Sequence, residues 1–414
     1  MKATLIAHTT PRSLEDMPAV EPIRLGAIGL GHRGASVLRL ATGCEEYQLE
    51  AVCDQRQNLI DRAKQWATDD FGLNVRGYTN AAEMIANESL DAVLVTIPPH
   101  EQIPVCCAAM EAGLDVMAEV PVAYSFEHCW QVVLTAERTG RLFLLLEQVR
   151  FSGIARTWRD IVAKGVIGQP VFAEGEYFGE KTDPWFTNPQ GLHYTPAQAA
   201  GASDASLAWR GQVPPITYLP HELSPLLYIM DDRVTRVTGM STTTPSHRYD
   251  NLPLPDVQAA LMQTQKDAVM RMATCWTSPS VPRGPMVTHW WHIKGTEGVL
   301  EAPRSPGDKS KLWVGGWHTR EPVELDLGTQ NLRGPAAAAS TGHGGLDYYP
   351  LAQFADALRR DVAPELDVYR AVETAAPAIA AAMSIAQGNQ PIDVPDFRPG
   401  PHRRAGEPPA NFAD

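Results

Sequence analysis

Residues 23–34 read IRLGAIGLGHRG, and this stretch decides the fold. A continuous apolar run ends in Gly29-Leu-Gly31-His-Arg-Gly34, which fits G-x-G-x-x-G and opens a helical pattern. Asp54 ends the next apolar run, YQLEAVCD, about twenty residues on, the spacing that separates a dinucleotide-binding fingerprint from a mere tight turn. The glycines let backbone approach a pyrophosphate held at a helix N-terminus.

Outward from this point, apolar runs alternate with amphipathic helical segments to about residue 150: VRGYT, DAVLVTIP, LDVMAEV and RLFLLLEQ follow in turn. Strands that are apolar on both faces and separated by helices predict a doubly wound parallel sheet, a Rossmann domain. Ligands bind beyond the carboxyl ends of such strands, which nominates Thr96, Pro98, His100, Glu119, Val120, Glu147 and Gln148 for the cofactor crevice. A Pro-Pro pair at 98–99 reads equally well as a strand terminator. Gly29, Gly31 and Gly34, with His32 and Arg33 in the turn, are assigned to the pyrophosphate. Asp54 accepts from both ribose hydroxyls and repels a 2′-phosphate, which favours NAD over NADP; Arg56, two residues on, is the feature that could hold a phosphate instead.

After a helical segment at 154–164 the pattern changes. QPVFAEGEYF (169–178), RVTRVTGMS (233–241), DVQAALMQTQ (256–265), AVMRMATCWT (268–277) and MVTHWWHIKG (286–295) alternate apolar with polar residues, as half-exposed antiparallel strands do. The fold class is therefore an α/β Rossmann doubly wound parallel sheet followed by an α+β domain with an open, mainly antiparallel sheet. The division expected is an N-terminal arm at 1–20, an NAD-binding domain at 21–150, a substrate and oligomerisation domain at 151–388 and a Pro-rich tail at 389–414. Helices at 221–230, 348–360 and 368–387 would cover one face of the second sheet. The other face would meet a second copy, giving a homo-oligomer, dimer or tetramer.

The 414 residues carry 35 basic and 48 acidic side chains, a net charge of −13 that disfavours nucleic acid and anionic membranes as partners. The first twenty residues lack the apolar core of a signal peptide, and no run is long enough to span a bilayer. The six cysteines show no metal spacing, so no metal is expected, and they read as buried thiols of a cytoplasmic protein.

The order GxGxxG, VCD, then TIPPHEQIPVCCAAMEAGLDVMAEVP (96–121) and an α+β domain resembles the glucose-fructose oxidoreductase/inositol dehydrogenase (Gfo/Idh/MocA) family over nearly the whole chain. Its sugar dehydrogenases carry Glu-Lys-Pro where this chain has Glu119-Val-Pro121, and pair that lysine with an Asp and a His four residues apart; here the positions are Thr217 and His221. The chain looks closer to the family's NAD-dependent glycoside hydrolases, α-N-acetylgalactosaminidase-like and sulfoquinovosidase-like. The resemblance is carried by Glu119-Val-Pro121, Trp209-Arg210, Tyr218-Leu-Pro-His221 and Gly342-His-Gly-Gly-Leu-Asp347. Leu219 and Pro220 stand where the acetylgalactosaminidase-like enzymes carry Pro and Thr, so an N-acetylgalactosamine substrate does not follow.

The resemblance implies hydrolysis by transient oxidation at C3 of a glycoside, elimination of the aglycone across C1–C2, addition of water and return of the hydride. His221 is then the base at O3, since an imidazole titrates near neutrality. Tyr218, Glu119 and His343 join it as catalytic candidates, with a core aromatic as the alternative for Tyr218. Tyr177, Arg210, Lys181, His193, Tyr194 and Arg150 are the substrate-binding candidates. Lys181 and Arg150 would offer charge to an anionic sugar such as a sulfoquinovoside; isolated surface cations are the alternative. The competing function is an NAD-dependent sugar dehydrogenase.

Overall fold

The computed structural model describes residues 21–180, 185–189, 191–279, 288–315, 321–327, 338 and 341–409. Six parallel strands form the first sheet in the spatial order Arg76–Tyr78, Tyr47–Cys53, Ile23–Ile28, Ala92–Val95, Asp115–Ala118, Phe143–Leu145. The order reverses beside Ile23–Ile28, and that switch point lies directly under Gly29–Gly34.

The second sheet has nine strands and is mixed. Val257–Thr264 and Val269–Cys275 form the hairpin whose turn the sequence marks, with Asp267 at φ 65°. Pro170–Phe178 lies at the middle, antiparallel to His289–Gly295 and parallel to Val269–Cys275. Strand alternation then puts Tyr177, His289 and Trp291 on the face packed against the helix Pro220–Met230, and Glu174, Arg271 and His292 on the open face. Three short strands, Phe186–Thr187, His193–Tyr194 and Ser206–Leu207, form a separate small sheet.

The two late helices divide their packing differently from the expectation. Tyr348–Arg360 docks on the nucleotide-binding sheet: Leu351, Phe354 and Ala355 join the cluster of Leu25 and Leu144, and the Tyr47 hydroxyl donates to the Leu351 carbonyl at 2.6 Å. Val368–Ala386 is buried from both sides, with Ala371, Val372 and Ala375 in the first domain's core and Ala378, Ala380 and Ala381 in the second's. Its run of alanines permits this close approach; at Gly239 a Cβ would sit 2.7 Å from the Ala381 carbonyl.

The C-terminal segment is likewise no free arm. Ile392–Asp393 adds an edge strand to the second sheet, Phe397 packs on Trp130 at 4.6 Å, and the Arg403 guanidinium meets Glu137 at 2.6 Å in the interior. Prolines suggest a tail, but a buried aromatic and a paired arginine anchor it. Residues 1–20 and 410–414 lie outside the described residues. No helix among the described residues is long and apolar enough to cross a membrane.

Candidate active site

At the switch point the backbone is shaped for a dinucleotide. Gly29 takes φ 95°, and a Cβ there would sit 2.6 Å from the Thr96 carbonyl. At Gly34 a Cβ would collide with the Gly29 carbonyl, whereas at Gly31 it would meet nothing within 4 Å. That open space lies at the N-terminus of the helix His32–Thr42, whose first N–H groups receive no side-chain cap. An anion is the complement of such a terminus. Asp54 is fixed at the edge of the same space, accepting from Leu30 N at 2.8 Å and Arg56 N at 2.9 Å. Thr96 donates to the Gly29 carbonyl at 2.7 Å and so holds the turn. The residues present fit NAD.

The turn after the fifth strand is held from behind by a residue that sequence reasoning passed over. Gln102, fully buried, donates through Nε2 to the carbonyls of Glu119 at 2.8 Å and of Pro121 and Val122 at 3.3 Å. Val120 is buried in the apolar cluster that contains Val95, Ile103 and Val122.

Arg33, named for the pyrophosphate, turns its guanidinium onto two carboxylates. Its Nε meets Glu119 Oε1 at 2.7 Å, while Nη1 and Nη2 grip Asp347 at 2.8 and 2.9 Å. Both are charge-assisted contacts, so the guanidinium charge is matched within the protein. Asp347 also accepts from His343 Nδ1, at 3.0 Å. Burial would raise the Asp347 carboxyl, but the hydrogen bonds from His343 and Arg33 outweigh it and leave the group well below the usual carboxylate range. Burial works against the Arg33 charge too, and Glu119 and Asp347 more than offset it. Three motifs recognised separately in the sequence thus meet on one side chain. His343 adopts φ 53° and is half exposed.

A second group of side chains surrounds His221. Its Nδ1 lies 3.2 Å from Glu147 Oε1, and Glu147 is fully buried and further fixed by the backbone N–H groups of Val149 and Arg150. Tyr177 meets the His221 ring edge-on at 5.7 Å and stacks face to face on His289 at 4.7 Å. His289 Nδ1 in turn lies 2.5 Å from Glu222 Oε1, and Trp291 Nε1 donates to the other oxygen. Burial raises the Glu222 carboxyl, while His289 and Trp291 act to lower it. Tyr218 lies 6.4 Å from His221, with Trp276 edge-on at 4.9 Å and Trp209 stacked at 6.5 Å. The Arg210 guanidinium sits 5.6 Å over the Tyr218 ring and 5.1 Å over Trp209. Tyr124, from the same AEVPVAY segment as Glu119, lies beside Tyr218, Thr217 and Arg210, and burial pushes its hydroxyl pKa up.

The domain architecture and these motifs match known models. Residues 23–146 match the Gfo/Idh/MocA oxidoreductase-family model, described as an NAD-binding Rossmann fold, and residues 155–301 match the Gfo/Idh/MocA C-terminal domain. The chain belongs to the Gfo/Idh/MocA family. Within it, residues 233–404 match the C-terminal domain of glycosyl hydrolase 109. A glycosyl hydrolase family 109 protein of Saccharopolyspora erythraea is 26% identical over 92% of this chain and 84% of its own length; a second, from Akkermansia muciniphila, gives the same figures. Among solved structures, an oxidoreductase domain protein from Kribbella flavida superposes with a TM-score of 0.72 at 15% identity, covering 91% of this chain and 100% of its own. An Agrobacterium radiobacter oxidoreductase solved with NAD+, L-tartaric acid and magnesium gives 0.68 at 18% identity, over 90% of this chain and 98% of its own. These two likenesses concern the fold.

The remaining residues named from the sequence have the following surroundings. Arg150 is buried, pairs with Glu365 at 2.7 Å and stacks 4.4 Å over Tyr228, so its charge is already matched inside the protein. His193 is at the cofactor end, where burial and the nearby charges of Arg56 and His32 lower its pKa. Tyr194 bonds Asn188 and Asp204 within the small sheet. His100 is half exposed on the first turn of the helix Pro99–Glu111, with Glu101 beside it and Pro98 as the N-cap. Gln148 is buried next to Glu147. Lys181 lies outside the described residues. The sequence reading overlooked His289 and the role of Glu222. The available signal was the i, i+2 spacing of His289 and Trp291, which puts both on the helix-covered face.

Proposed function

We propose that this protein is an NAD-dependent glycoside hydrolase that oxidises C3 of its substrate only transiently. The observation that carries the reading is the replacement of the family's relay lysine by a valine buried in the core, beside an imidazole that keeps its own buried carboxylate. A dehydrogenase that exports hydride needs a path for the hydroxyl proton to solvent; a closed cycle needs a base that takes the proton and returns it. Bound NAD supplies a reversible hydride acceptor.

Gly29–Gly34, Asp54 and Thr96 would hold the cofactor, and Glu119 would lie beside its reactive end. His221, oriented through Nδ1 by Glu147, would take the O3 proton and later give it back. Tyr177, Tyr218, Trp209 and Trp276 form an aromatic wall suited to a sugar ring, with polar tips for its hydroxyls. Their packing also closes the pocket, which keeps an enone intermediate from escaping. His343, held by Asp347 near Glu119, is the candidate acid for the leaving oxygen. Arg210 supports a substrate with an acidic group, and an α-glycoside such as a sulfoquinovoside is the class we favour. Met240 and Leu261 expose apolar surface on the second sheet, and we infer that this face pairs with another copy in a cytoplasmic homo-oligomer.

A screen of aryl glycosides, sulfonated sugars among them, tests the reading. Phenol release with no net reduced nicotinamide supports it. Stoichiometric reduced nicotinamide from a free sugar, with no phenol released from any glycoside, would make the protein a sugar dehydrogenase instead.

A further inference from the structure

We propose that His289, held by Glu222, is a second acid–base group of the pocket and takes the proton that leaves C2 of the sugar; this rests on the glycosidase reading above. The pocket contains two imidazoles, each backed through Nδ1 by a carboxylate that is fully buried: His221 by Glu147 at 3.2 Å and His289 by Glu222 at 2.5 Å. The two rings are 6.1 Å apart and lie on either side of the Tyr177 ring's contacts, one edge-on and one stacked. Both side chains are mostly buried, at 14% and 17% exposure.

The chemistry asks for two such groups at once. While the sugar is a 3-ketone, His221 holds the O3 proton and has no lone pair left on Nε2. The C2 proton must go elsewhere, and an imidazole of the same construction stands one ring away. In the elimination the C2–H bond breaks and its proton goes to Nε2 of His289. The electron pair forms the C1–C2 double bond, the C1–O bond breaks, and the aglycone oxygen keeps that pair and takes a proton from His343, which solvent then reprotonates. On return, water gives its hydroxyl to C1 and a proton to solvent, while His289 gives a proton back to C2. Glu222 is the positioning residue: its second oxygen accepts from Trp291 Nε1, which fixes the carboxylate and through it the ring.

The test uses the holoenzyme and an aryl glycoside deuterated at C2 or at C3. In His289→Gln, aglycone release falls about 100-fold and its isotope effect at C2 grows, whereas reduced nicotinamide still forms within about twofold of the normal rate. In His221→Gln the formation of reduced nicotinamide itself falls. Should His289→Gln not fold, His289→Asn carries the same comparison. A readout independent of turnover is ¹⁵N NMR of histidine-labelled holoenzyme, which should show His289 with Nδ1 protonated and Nε2 bare at neutral pH, and Glu222→Gln should abolish that preference. Unchanged release in the His289 variants, an equal fall in both steps, or the opposite tautomer overturns the assignment. If wild-type enzyme releases aglycone with no isotope effect at either carbon and no reduced nicotinamide at any time, the glycosidase cycle fails, which is a different pattern.

Discussion

Beside the fingerprint turn one cation serves two carboxylates, whereas around Tyr177 each imidazole has a carboxylate to itself. Arg33 ties Glu119 to Asp347, residues from distant segments of the chain, in three contacts of 2.7–2.9 Å. His221 and His289 each lean on a fully buried glutamate. The first arrangement fixes where a loop and a turn sit, with the charges of Arg33, Glu119 and Asp347 matched and His343 held beside them. The second orients each imidazole through Nδ1 on a buried carboxylate, as a ring that moves protons requires. Geometry of hydrogen bonding, rather than density of charge, distinguishes the two clusters.

The contrast can be broken at either side. His221→Gln should have the largest effect, a loss of about 10³-fold in kcat at unchanged thermal stability, measured by aryl-glycoside hydrolysis and by melting. Arg33→Met should do the reverse in kind. It leaves Asp347 buried without its cation, costs about 3 kcal/mol of stability in denaturant unfolding, and lowers activity through misplacement of the Asp347 loop. Gln102→Leu removes the donor to three carbonyls of the Glu119–Val122 turn and should cost about 1–2 kcal/mol, with a rise in the Kd for NAD. The smallest effect should come from Arg150→Met. It weakens the Glu365 pair and stability, yet leaves KM for an anionic substrate within about twofold, whereas Arg210→Met raises it about tenfold.

Acid sharpens the same comparison. The Asp347 carboxyl is depressed in the folded protein, so its contribution to stability is complete above the ordinary carboxylate range and is lost as pH falls through the lowered folded value. Asp347→Asn should therefore flatten the loss of stability below about pH 4. The Glu222 carboxyl is raised by burial, so its contribution runs the opposite way, present at low pH and declining as pH rises through the folded value. A pair of acid titrations on the two Asn/Gln variants would distinguish the signs.

Much of this was legible in the sequence for a physical reason. The fingerprint turn and Asp54 are local features whose backbone demands are written in glycines and spacing. Helix limits such as Tyr348–Arg360 follow from periodicity. Where that helix docks does not, because an amphipathic face does not name its partner. The tail was obscured by its prolines, although Phe397 and Arg403 pack inside. The His289–Glu222 pair spans 67 positions and joins a helix to a strand, so neither residue marks the other. Arg33 was visible, but its two carboxylates arrive from distant segments and redirect it.

The central claim is that hydride leaves the sugar and comes back. The most direct measurement is NMR of the sugar released from an aryl glycoside by the holoenzyme in D₂O. Deuterium at C2 of an otherwise unoxidised product, with no net change in the nicotinamide, is the result this account predicts. A product that keeps its C2 proton through complete turnover would contradict it.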